Sequence, residues 1–185
     1  SPASADSAIL QQVQLLASDV NNGIEEFPLG AVDVDNQQID LRKHNSWVAG
    51  IDQINCVEVV EVNCINSLSP QILISRFVGK MSLDPSCDHY IINVSAMEGK
   101  FSRKFKSGRH AHTNAAKSSL NMITRTLGAT LASQRIYINS VDTGWITDEK
   151  PFQDTVSAAL KGFSTPIDEC DAMSRIVDPI FVGIN

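Results

Sequence analysis

The sequence predicts an α/β fold, a parallel sheet with helices on both faces. Three observations carry the prediction. Tyr90–Ser95 reads Tyr-Ile-Ile-Asn-Val-Ser, a short apolar run with strand character. Ile136–Val141 reads Ile-Tyr-Ile-Asn-Ser-Val and is a second such run. Between them Ala116, Leu120, Ile123, Leu127 and Leu131 recur at steps of three or four, one apolar stripe of a long helix over about Ala111–Ser133. Strand, helical connection, strand is the pattern of a parallel βαβ unit.

Both runs are apolar on more than one face, so the strands are expected to lie between helix layers. Turn signals follow each: Glu98-Gly99 after the first, Thr143-Gly144 after the second. On the helix, Thr113 and Lys117 are four apart and share a face distinct from the apolar stripe.

With 185 residues the chain has room for one domain. Residues 1–50 read as an irregular acidic segment with one short helix, marked by Ile9, Leu10, Val13, Leu16 and Ala17. Residues 51–185 hold the βαβ core and the remaining helices. A long helical region runs from Gln53 to about Met81, with Val57, Val60, Cys64, Leu68 and Ile72 as its apolar face; Pro70 should kink it or remove a hydrogen bond. A helical pattern at Val156, Ala159 and Leu160 is broken by Gly162. Thr165-Pro166-Ile167-Asp168 reads as a helix start, and that last pattern stops at Asp178-Pro179.

Hydrophobic residues make up 43% of the chain, which supports a real core, and the net charge of -6 argues against nucleic acid or an anionic membrane surface as partner. No run of 18 apolar residues suggests a membrane span. The start at Ser1 shows no signal-peptide pattern, and a cytoplasmic location is expected. Cys56, Cys64, Cys87 and Cys170 form no C-x-x-C pair and read as reduced, mostly buried thiols. Neither the histidines His44, His89, His110 and His112 nor the pair Asp33 and Asp35 makes a metal site; the aspartates read as a solvated charge patch. The loop Gly99–Arg109, with Lys100, Arg103, Lys104, Lys106 and Arg109, is the most basic stretch and reads as solvated, with an anionic ligand as the alternative.

Three segments together are similar to the later part of a short-chain dehydrogenase/reductase: Ile91–Gly99, Asn114–Met122 and Ile138–Trp145. That resemblance covers roughly residues 37–182. It implies a partial Rossmann-like, doubly wound sheet that lacks the closing strand and the glycine-rich front. None of the ten glycines falls as G-x-G-x-x-G, the turn that cradles a dinucleotide phosphate.

The resemblance also implies a chemistry, hydride exchange between NAD or NADP and a small carbonyl or alcohol. In that family a tyrosine moves the proton, a lysine four residues on lowers its pKa, and a serine steadies the substrate oxygen. Here Lys117 is in register, but the tyrosine position is Thr113 and the serine position is Ala96. Ser95 is adjacent, on the other side of the strand. Asn63 falls where the family keeps an asparagine that bends its helix and holds a water of the proton relay. Thr143 and Gly144 occupy the turn that meets the cofactor, with the usual proline replaced. His112, about 100° round the helix from Thr113, is the first candidate substitute acid, with His110 further off. Tyr90 and Tyr137 read as core residues. The expectation is a degenerate, pseudoenzyme-like active site. The alternative is a non-enzymatic binding or self-association module, dimerising through its two long helices or pairing with a separate front half.

Overall fold

The computed structural model describes residues 25–34 and 36–184. The expected helix around Ile9–Ala17 and the residue Asp35 lie outside them. Two strands, β1 (His89–Ser95) and β2 (Ile136–Asp142), pair in parallel with Tyr90 opposite Tyr137 and Ser95 opposite Asp142. They form a two-stranded sheet among the described residues. Both predicted runs are therefore strands, extended by one residue each.

Ahead of β1 stand α1 (Cys56–Asn63), a π turn (Cys64–Leu68) and α2 (Ser69–Met81). Asn55 caps α1: its side-chain oxygen accepts the Glu58 N–H at 2.8 Å. The helical region expected from Gln53 to about Met81 is continuous from Cys56 to Met81, and its irregularity is the π turn just ahead of Pro70. The Ser69 N–H reaches back five residues to the Cys64 carbonyl, and Pro70, which has no N–H, follows at the first turn of α2. The extra residue of a π turn rotates the helix register. Below it Ile74, Val78 and Met81 face the core, whereas Val60, Leu68 and Ile72 of the predicted apolar face are half or more exposed.

Helix α3 (Ala111–Ala132) crosses the sheet as predicted. Ala116, Leu120 and Leu131 are buried, and Ile123 and Leu127 pack on a core of Ile74, Leu131, Ile136 and Ile138. The polar residues of this face are satisfied. Asn93 donates to the Thr124 hydroxyl at 3.0 Å, Thr124 and Ser140 share a hydrogen bond of 2.7 Å, and Ser67 meets Ser119 at 2.6 Å.

After β2 come α4 (Phe152–Leu160) and α5 (Glu169–Ile184). The residues pointing away from α3, Tyr90 among them, meet α5: a side chain on Gly183 would strike the Tyr90 hydroxyl. Two expectations need correction here. The last helix starts at Glu169 rather than Thr165, because Asp168 supplies the cap, accepting the Asp171 N–H at 2.9 Å. It also continues through Pro179 to Ile184, where packing on Tyr90 outweighs the lost hydrogen bond. The four cysteines are free thiols as expected, but all four are exposed rather than buried. Cys56, Cys64 and Cys170 lie on helix surfaces that a sheet of two strands cannot cover.

No helix of the described residues is long and apolar enough to cross a membrane, and they contain no cluster able to hold a metal ion.

Candidate functional site

In an open parallel sheet, ligands meet the carboxyl ends of the strands. There lies a cavity of about 540 Å³. Its wall takes Ala96, Met97 and Glu98 from the end of β1, Asp142 to Trp145 from the end of β2, His110 and Asn114 from the start of α3, and Trp47 from the N-terminal segment. A second hollow of about 390 Å³ lies beyond Trp47 and is lined by Asp40, Arg42 and Phe152 among other residues, with none from a strand.

Two glycines shape the wall. Gly99 closes the turn after β1 so tightly on α3 that an added Cβ would sit 2.8 Å from the Lys117 carbonyl and from Asn121. The Gly99 carbonyl there accepts from Ser118 and Asn121, each at 3.1 Å. Gly144 follows β2 with φ +83, and a Cβ would sit 2.5 Å from Ile167. Its N–H donates to the Asp142 carboxylate at 3.0 Å.

The predicted residues divide between the cavity and its surroundings. Thr143 and Gly144 line it; Thr113, Lys117, Ser95 and Asn63 do not. Lys117 lies just behind, where its ammonium donates to the Val94 carbonyl at 3.0 Å. Burial pushes its pKa down, with Glu98 opposing. Ser95 is buried on the α3 side of the sheet and donates to the Lys117 carbonyl at 3.3 Å. Ala96, at the serine position, lines the cavity with a methyl group. Asn63 donates to the Val59 carbonyl of its own helix at 2.8 Å, immediately before the π turn. Thr113 is partly buried on the same face of α3 as Lys117.

The histidines exchange places relative to the sequence reading. His112 is buried under α1, its Nε2 3.2 Å from the Glu58 carboxylate and away from the cavity. His110 lines the cavity instead. It caps α3 with φ 38 and ψ 42, a left-handed conformation in which histidine is enriched but which remains uncommon. Its ring stacks on Trp47 with centroids 4.3 Å apart and planes 6° apart. Burial lowers its pKa from the ordinary value, with Glu98 and the adjacent Asn114 opposing. Trp47 carried no signal in the sequence, because it stands more than sixty residues from His110.

The basic loop contributes less free charge than its composition suggests. Arg103 pairs with Glu98 at 3.6 Å, and Lys106 donates to the Glu98 carbonyl. Lys150, also on the wall, pairs with Asp148 at 2.9 Å and lies 5.5 Å over the Trp145 ring.

No family model matches the chain. Over 151 residues it is 36% identical to an uncharacterised protein of Acanthamoeba polyphaga mimivirus, an alignment that takes in 77% of this chain and 31% of the viral protein. Among solved structures it is similar to the carbonyl reductase Sniffer of D. melanogaster, with 24% identity, a TM-score of 0.54, and 70% of this chain covered against 52% of that one. It also aligns with sorbitol-6-phosphate 2-dehydrogenase of Erwinia amylovora at 19% identity and TM-score 0.49, over 76% of this chain and 50% of that chain. The chain thus spans about a third of the viral protein and about half of the fly reductase. The fold is that of the short-chain dehydrogenase/reductases, a partial Rossmann-like sheet.

Proposed function

We propose that this chain is the later part of a short-chain dehydrogenase-type domain whose hydride-transfer chemistry is impaired. One observation supports the reading above others: no phenol reaches the site. The chain has two tyrosines, Tyr90 and Tyr137, paired side by side at the starts of the strands. At about 3.3 Å per residue they lie on the order of 15 Å from the strand ends that form the cavity. Thr113 offers an aliphatic hydroxyl, a far weaker acid than a phenol, and Ala96 offers no hydroxyl to hold a substrate oxygen.

The substrate class in this reading is a small carbonyl or alcohol, in keeping with the name of the fly reductase. The cofactor is NAD or NADP. Lys117, Thr143 and Gly144 are the residues that would meet its nicotinamide end. The other end fits poorly: neither strand of the described residues leads through a glycine-rich turn into a helix N-terminus, so the described residues offer the pyrophosphate no such cradle. A front half from a longer chain or a partner would have to supply it. A cytoplasmic location belongs to the same reading and is supported by the free thiols. Titration of the chain with NADH and NADPH, followed by nicotinamide fluorescence, tests it: no saturable binding is expected in the micromolar range, and micromolar affinity would contradict it.

A second reading, a self-association module, rests on a separate observation. Val60, Ile65, Leu68, Ile72 and Leu73 are 50–61% exposed along α1, the π turn and α2, and Met122 of α3 is 58% exposed. Apolar faces of this kind mark interaction surfaces. A second copy of the long helices would cover them, and sedimentation of wild type against Ile72→Glu distinguishes dimer from monomer.

A further inference from the structure

We propose that His110, held by Trp47 and Asn114, is the polar anchor of the cavity and accepts a hydrogen bond from the hydroxyl of a flat, otherwise apolar ligand. Its backbone is the first ground. A residue with a Cβ pays to enter the left-handed region, and His110 is kept there from three sides. Its N–H donates to the Ala49 carbonyl at 3.1 Å, its carbonyl accepts the Asn114 N–H at 3.1 Å, and its ring lies flat on Trp47. The ring therefore has one fixed position at the cavity wall.

The second ground is an unmet pair of polar atoms. His110 Nδ1 and Asn114 Oδ1 are both buried without a completed hydrogen bond, yet the Asn114 side chain lies close enough to raise the basicity of the ring. The two are complementary. A donor at Nδ1 directed to Oδ1 fixes the tautomer and makes Nε2 the acceptor left for the cavity. Burial holds the imidazole neutral near pH 7, against the opposing pull of Glu98 and with the repulsion of His112.

The third ground is elimination. Lys150 is held by Asp148, Arg103 and Lys106 by Glu98, and the Asp142 carboxylate by the Gly144 N–H. The Thr143 hydroxyl donates to the Gly144 carbonyl at 3.5 Å and the Thr147 hydroxyl to the Glu149 carboxylate at 3.1 Å. Ser107 is the other hydroxyl of the wall, and its apolar part is Trp47, Ala96, Met97, Phe105, Trp145 and Ile146. An oriented imidazole beside the aromatic rings of Trp47, Phe105 and Trp145 suits a ligand with a hydroxyl on a flat apolar body. The proposal rests on the cavity reading above but not on hydride transfer.

The two tryptophans of the chain, Trp47 and Trp145, both line the cavity, so intrinsic fluorescence reads its occupancy. The full chain without nucleotide is titrated with 2-indanol and with indane, which differ by the hydroxyl. The expected result is at least about tenfold tighter binding of 2-indanol, reduced to near parity in His110→Phe, which keeps a ring against Trp47. Nitrogen NMR of the wild-type imidazole gives a reading that needs no variant: 2-indanol shifts Nε2 and indane does not. Failure of both probes to bind at millimolar concentration, survival of the preference in His110→Phe, or an Nε2 signal unmoved by 2-indanol would each overturn the proposal. Since no nicotinamide is present, these outcomes do not depend on whether the chain transfers hydride.

Discussion

The body of α3 and its first turn are built to different standards. From Ala116 to Leu131 the helix meets Ile136 and Ile138 with apolar surface, and the neighbouring polar groups Asn93, Ser95, Thr124 and Ser140 all have partners. At the first turn the pairing thins, although His112 Nε2 lies 3.2 Å from the Glu58 carboxylate. Of the five buried side-chain atoms without a hydrogen bond among the described residues, four belong to His110, His112 and Asn114. Buried polar atoms without partners are costly, so their concentration at one helix end is informative. The body of the helix is finished as structure, whereas beside the cavity His110 and Asn114 keep unmet polar atoms; the two atoms of His112 face away from it.

Substitutions should separate the two regions. The largest effect is expected from Ile136→Ala. Ile136 is fully buried at the centre of the core, and its truncation should cost about 2–5 kcal/mol in denaturant unfolding. Next comes Thr124→Val, which leaves the Asn93 amide without its acceptor and should cost roughly 1–3 kcal/mol. At the first turn, His110→Gly should change stability by less than about 1 kcal/mol. Glycine enters the left-handed region freely, which offsets the lost stacking on Trp47. A loss as large as that of Thr124→Val would mean that the first turn is as integral to the fold as the rest.

The smallest effect is one of pH. Burial places the folded His110 pKa below the ordinary 6.5. As pH falls through 6.5, the unfolded chain takes up a proton that the folded ring refuses. The stability linked to His110 is therefore complete above 6.5 and declines as pH falls toward the folded value. An NMR titration of the His110 ring should show a midpoint below 6.5, and one at or above it would remove the desolvated site from the account.

The frame was legible where the signal was local. The stripe from Ala116 to Leu131 and the two apolar runs specified α3, β1 and β2 because each periodicity is written into a single segment. Two kinds of information were not local. The π turn at Cys64–Leu68 shifted the register of α2, so the predicted face at Leu68 and Ile72 turned outward while Ile74 took the core. Proline at 179 was read as a stop because nothing in its neighbourhood announces the contact between Gly183 and Tyr90. At the site, the resemblance named Lys117, Thr113, Thr143 and Gly144; Thr143 and Gly144 line the cavity, whereas Lys117 and Thr113 do not. The sequence pointed to His112 whereas His110 lines the cavity, because distance along the helix from Thr113 does not reveal a left-handed cap, and the ring that stacks on His110 comes from Trp47.

The proposed function is a short-chain dehydrogenase-type fold without the proton-transfer chemistry. Its most direct test is carbonyl-dependent oxidation of NADPH and NADH at millimolar concentration by the full chain, against a panel of small aldehydes and ketones from pH 5 to pH 9. The account predicts rates equal to those of protein-free controls at every pH. A rate above background that is abolished by Lys117→Ala would contradict it, and its loss in His110→Phe would identify the histidine as the acid that the sequence lacks at Thr113.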